Sequence, residues 1–115
     1  MRRGEIRVVD VEPVRGAEAS KSRPAVIVSS DGANATATRL GRGVVTVVPV
    51  TSNVERIYPF QVLLQAATTG LPRDSKAQAE QVRSVAVERI GTRVGAVPPA
   101  LMAQLDEALR LHLSL

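Results

Sequence analysis

Between Val44 and Val50 the chain reads Val-Val-Thr-Val-Val-Pro-Val, an almost unbroken β-branched run. Such a run fits a strand enclosed on both faces, because branched side chains pack well on a pleated surface and no polar alternation marks a wet side. A strand of this kind needs other strands and a covering layer. Candidates lie on either side. Glu5 to Asp10 is a short strand with Ile6 and Val8 on one face, and Arg23-Pro24 opens a second over Ala25 to Ser29, where proline suits a strand's first residue. Tyr58 to Leu64, two short pieces within Gln78 to Val87, and Thr92 to Val97 complete the set. Residues 11 to 22 break the pattern and read as a flexible loop with Pro13 and Gly16.

Asp31 to Thr38 reads as a turn or short helix with Asp31 as its N-cap, and Gly41-Arg42-Gly43 as a turn. Residues 66 to 76 read as a polar loop, and Glu88 to Ile90 as one helical turn. Pro98-Pro99 marks a helix start, after which Leu101, Leu105, Ala108, Leu109 and His112 recur at helical spacing. Many short strands and one amphipathic terminal helix predict a single domain over residues 1–115, mainly β with α, built as a small β-barrel with helices attached.

Composition narrows the chemistry. There is no cysteine, which removes disulfides, thiolate zinc sites and a cysteine nucleophile and fits a reducing cytoplasm. No stretch reaches the roughly 18 apolar residues needed to cross a bilayer. No apolar segment follows Met1-Arg2-Arg3-Gly4-Glu5, so a cleaved secretion signal is not expected. The net charge is +4, carried by 13 arginines and only two lysines, Lys21 and Lys76. Arginine's planar fork matches phosphate oxygens, so a polyanionic partner fits, although a GC-rich genome gives the same bias.

His112 is the only histidine and sits at the end of the terminal helix, where packing or solvent is its ordinary role. Ser–His and Cys–His arrangements are therefore missing, the acids are scattered, and no phosphate-cradling glycine loop appears. RNA cleavage escapes this limit. The ribose 2′-hydroxyl can attack the adjacent phosphate, and the enzyme then needs only to hold the strand in line and stabilise the phosphorane. An arginine and a hydroxyl suffice, with no cofactor and no metal.

Several segments in order resemble the MazF/PemK family of toxins, most closely its actinobacterial members. These are Arg3-Gly4-Glu5-Ile6; Gly16-Ala17-Glu18 followed by Arg23-Pro24-Ala25-Val26-Ile27-Val28-Ser29; Pro49-Val50-Thr51-Ser52; Tyr58-Pro59-Phe60-Gln61-Val62; and Glu80-Gln81-Val82-Arg83-Ser84-Val85. The resemblance implies an SH3-like barrel of the CcdB/PemK type with short helices, assembled as a homodimer. It implies a cytoplasmic toxin of a type II toxin–antitoxin pair, a sequence-specific, metal-independent endoribonuclease that cuts single-stranded RNA and leaves a 2′,3′-cyclic phosphate and a 5′-hydroxyl. It also implies an acidic MazE-like antitoxin lying along the RNA groove.

By that resemblance Arg23 is the catalytic arginine on the scissile phosphate, and Thr51 the catalytic threonine on a non-bridging oxygen. Without it, a strand-start arginine pairs with a surface acid and a strand-end threonine simply favours β structure. Glu18 matches the loop glutamate, which orients Arg23 or accepts the 2′-hydroxyl proton; a solvated loop charge is its plain alternative. Glu80 and Gln81 match positions that face RNA, and Arg3, Asn34 and Ser52 are further RNA-binding candidates. Two residues depart from the family pattern: Arg7 stands where many members carry an aromatic, and Ala17 replaces the usual serine. With Tyr58 and Phe60 as the only aromatics, recognition is expected to rest on backbone and polar edge contacts rather than stacking. Two rivals keep the fold: a CcdB-like gyrase poison, whose Trp-Gly-Ile tail is absent here, and a non-catalytic RNA-binding barrel. The apolar face of the terminal helix, from Pro99 to Leu113, is expected to help seal the dimer.

Overall fold

The computed structural model describes residues 1–11 and 21–115. In chain order they form β1 (Glu5–Val11), β2 (Lys21–Ile27), α1 (Asp31–Leu40), β3 (Val44–Thr51), β4 (Gln61–Leu64), α2 (Ala66–Thr69), β5 (Ser75–Gln78), β6 (Arg83–Ala86), β7 (Ile90–Ala96) and α3 (Pro99–Leu113). The strands pair antiparallel in the order β4-β5-β3-β2-β1-β7, with β6 also on β3.

The valine run is enclosed, but the enclosed face changes midway. Val45 and Val47 join Val9, Ala25, Ile27, Ala37 and Val85 in one cluster. Val48 and Val50 join Ile6, Val26, Leu64 and Leu105 in another. Successive strand side chains point to opposite faces, so a shift from odd to even numbers hands β3 from one core to the other. The second edge of β3 is divided likewise: Val44–Val47 pair with β6, Val50 and Thr51 with β5. The expected mainly β architecture with a C-terminal helix is present, and its small barrel is an open one: β4 and β7 end the path without pairing among the described residues.

The same two-sided packing holds in β1. Ile6 and Val9 are fully buried and serve the two different cores, while Val8 is half-buried. Register shifts against β7 around Arg7 accompany this. Helix α1 is capped by Ser30, whose hydroxyl accepts from Ala33 N at 3.2 Å. Asp31 sits one residue inside and instead accepts the N–H of Arg3 at 2.6 Å, so it is not the N-cap. Gly41 ends the helix at φ 65°, a left-handed conformation that favours glycine.

β4 begins only at Gln61. Tyr58 to Phe60 form a turn instead, closed by Gln61 N donating to the Tyr58 carbonyl at 2.9 Å. The expected polar loop holds α2 and the start of β5. There β7 passes so close to α2 that a Cβ on Gly95 would lie 2.4 Å from the Thr69 carbonyl oxygen; only glycine fits. Helix α3 starts at Pro99, as the Pro-Pro pair predicts, and buries Met102, Leu105 and Ala108 against β4 and the 3-10 turn Ala79–Gln81. His112 is exposed. Among the described residues no helix is long and apolar enough to cross a membrane.

Candidate active site

The register of β2 on β3 brings the chemistry together. Ala25 faces Pro49, Val26 faces Val48 and Ile27 faces Val47. The paired stretch ends at Ala25 and Pro49, and Arg23 and Thr51 lie two residues beyond it, at its open end. They line one pocket of about 260 Å³ with Pro24, Ser52 and Arg73. Arg23 also borders a second pocket, of about 210 Å³, with Pro49, Gln78, Gln81 and Arg83. With Pro24 it thus forms the shared wall of the two pockets, which together make the candidate groove.

Arg23 is exposed, and among the described residues no carboxylate pairs with it. β2 begins at Lys21, two residues before the expected strand start, and Val9 of β1 pairs with Arg23 and fixes its backbone on that side. Thr51 is half-buried, and its hydroxyl oxygen accepts from Asn53 N at 3.3 Å. That leaves the hydroxyl's own proton to be donated into the pocket. The loop beyond Thr51 is anchored from below: Lys76, the register partner of Thr51, is buried and donates to the Arg56 carbonyl at 2.7 Å. Tyr58 stacks on Phe60 at 5.3 Å, with Arg56 5.5 Å from the Tyr58 ring centroid. These aromatics brace their own loop.

The other sequence candidates divide. Ser52 lines the first pocket and Gln81 the second. Glu80 does not line either; it accepts from Gln61 Nε2 at 2.7 Å and so ties the 3-10 turn to β4. Asn34 is fully buried, donating to the Ser29 carbonyl at 2.9 Å and accepting from the Ser29 hydroxyl at 2.5 Å. With both ends of its amide engaged inside the protein, it joins α1 to the end of β2 and is not a ligand-facing group. Arg3 is committed to the Val28 carbonyl at 2.7 Å and to Asp106 at 2.6 Å, in a different pocket under the end of α3. Glu18 and Ala17 lie outside the described residues, so no geometry bears on their roles. Arg7 donates to Glu5 at 3.3 Å within β1.

Sequence reasoning missed Gln78, Arg73 and Arg83. Gln78 carried a signal: it sits three residues before Gln81, and the 3-10 turn Ala79–Gln81 between them brings both to one pocket. Arg83 carried one as well, as the basic position of the Glu80–Val85 segment, whereas Arg73 carried none beyond the arginine-rich composition.

Known proteins resemble the chain along its length. It is 68% identical over 115 residues to Endoribonuclease MazF9 of Mycobacterium tuberculosis, covering 100% of this chain and 98% of that protein. Endoribonuclease EndoA of Bacillus subtilis is 28% identical over 116 residues, covering 100% and 96%. The MazE–MazF form II crystal structure from Deinococcus radiodurans shares the fold, with a TM-score of 0.79 at 24% identity over 100% of this chain and 96% of that one. Residues 2–113 match the family described as the PemK-like, MazF-like toxin of type II toxin–antitoxin systems, and the chain belongs to that family.

Proposed function

We propose that this chain is the toxin of a type II toxin–antitoxin pair and acts in the cytoplasm as a sequence-specific endoribonuclease on single-stranded RNA. The observation that carries the reading is the meeting of Arg23 and Thr51 in one pocket. The 2′-hydroxyl of the substrate gives up its proton and attacks the adjacent phosphorus, the P–O5′ bond breaks, and the leaving 5′-oxygen takes a proton from solvent water to give a 2′,3′-cyclic phosphate and a 5′-hydroxyl. Arginine stays protonated in proteins, so Arg23 stabilises charge on the phosphorane, gripping two oxygens with its fork. Thr51 donates its proton to a non-bridging oxygen. Glu18 orients Arg23 or takes the 2′-hydroxyl proton. The chain and solvent water supply every group the step needs, so neither metal nor cofactor enters the mechanism. Ser52 and Gln81 contact the strand on either side of Arg23 and contribute to sequence choice. Gyrase poisoning and RNA binding without cleavage have no observation in their favour.

The test is incubation of purified protein with an RNA oligonucleotide in chelator. Cleavage with cyclic-phosphate ends is expected; intact RNA would refute the reading.

The cationic groove also suits an acidic MazE-like antitoxin, since Arg23, Arg73 and Arg83 all line it and a carboxylate-rich segment competes for the same fork donors. The working form is a homodimer. α3 spends Met102, Leu105 and Ala108 on its own core, yet Leu111, Leu113 and Leu115 stay 57%, 48% and 85% exposed. Light scattering is expected to give twice the chain mass at micromolar concentration; a monomer there would reject the dimer.

A further inference from the structure

Arg73 lies in the segment between α2 and β5, and its backbone is fixed on both sides. The Asp74 carboxylate accepts the N–H of Ala66, the first residue of α2, at 2.8 Å. The Ser75 hydroxyl donates to the Arg73 carbonyl at 3.0 Å. The nearest acid in sequence is therefore engaged elsewhere, and among the described residues no carboxylate pairs with the Arg73 guanidinium. The side chain is exposed on the wall of the pocket that holds Arg23, Thr51 and Ser52. Two guanidinium groups facing one pocket repel each other, and that repulsion is relieved when an anion sits between them.

Position separates the two arginines. Arg23 borders both pockets, so a strand running along the groove must cross it. Arg73 borders only the pocket away from Gln81 and Arg83. Resting on the ribonuclease reading above, we propose that Arg73 binds the phosphate next to the scissile one, so that the RNA backbone is held at two successive phosphates. Arg73 is then a binding residue. It grips a phosphate whose charge does not change in the reaction, so it stabilises ground and transition states alike. Its loss appears in KM rather than kcat.

The test compares the full-length wild type with R73A and R73K. Binding is measured on an RNA oligonucleotide carrying 2′-O-methyl groups, which cannot attack, across a range of salt. R73A is expected to bind roughly tenfold more weakly, the loss of one charge-assisted pair. The slope of log affinity against log salt is expected to be shallower by about 0.7, the value for one contact on a single strand. R73K, which keeps the charge, is expected to keep the slope. On cleavable RNA the R73A defect is expected in KM. Unchanged affinity and slope in R73A would overturn the assignment. So would a collapse of kcat with intact binding, which would put Arg73 on the scissile phosphate. Wild-type protein that binds RNA but never cuts it would instead overturn the ribonuclease reading on which the assignment rests.

Discussion

Replacing Arg23 by alanine is expected to lower kcat on RNA by about 10²–10³-fold, the usual cost of deleting one preorganised donor to a developing oxyanion. That corresponds to ~3–4 kcal/mol of transition-state stabilisation. The physical reason is differential binding. The substrate phosphate carries one negative charge, whereas the phosphorane gathers more on the oxygens that the arginine fork faces. The fold should not respond. Arg23 is exposed and lines both pockets, and truncating a surface side chain away from core or caps shifts stability by no more than about 0.5 kcal/mol. Arg23→Lys keeps the charge but loses the fork, so it should recover only part of the rate. The checking measurements are single-turnover cleavage and a thermal melt of each variant. Full-rate cleavage by folded Arg23→Ala would remove Arg23 from the chemistry.

Arg23 and Thr51 were legible in the sequence because each sits in a motif next to a strand signal. Their meeting was not, since it depends on the register of β2 against β3, which the motifs do not encode. Strand identities could be read from β-branched runs and from the position of Pro24. The switch of β3 from one core to the other could not, because an all-valine run looks the same on either face. Asn34 and Glu80 show what a local pattern leaves out. A polar residue in a turn-like stretch reads as available, yet α1 folds back over the end of β2 and buries Asn34, while Gln61 of β4 donates to one Glu80 oxygen and the other, Oε1, is buried without a hydrogen-bond partner among the described residues. Arg3 was diverted by Asp106, over a hundred residues away in sequence, on a helix whose placement no local pattern reveals. Arg73 and Arg83 reach the groove because β5 and β6 share one edge of β3. That pairing joins segments too distant for periodicity to connect.

Leu105→Ala is expected to give the largest loss of stability. Leu105 is fully buried at the centre of the inner face of α3, in the cluster that holds Ile6, Val48 and Leu64. Truncating such a leucine loses its transfer free energy and leaves a cavity, at about 2–5 kcal/mol. For a domain of this size, a loss near the middle of that range lowers Tm on the order of 10–20 °C. The effect should also reach the groove. Helix α3 packs on the 3-10 turn Ala79–Gln81, which carries Gln81 to the second pocket and is closed by Val82 N donating to the Ala79 carbonyl at 3.1 Å. Loosening that turn should raise KM for RNA before it lowers kcat, because the turn touches the strand away from Arg23 and Thr51. Hydrogen exchange at the Val82 amide is expected to quicken in parallel. Gln104→Ala, on the exposed face of the same helix, is the control and should move the melting point little. A Leu105→Ala protein that melts with the wild type would mean that α3 does not seal this core, and the link from helix to groove would fall with it.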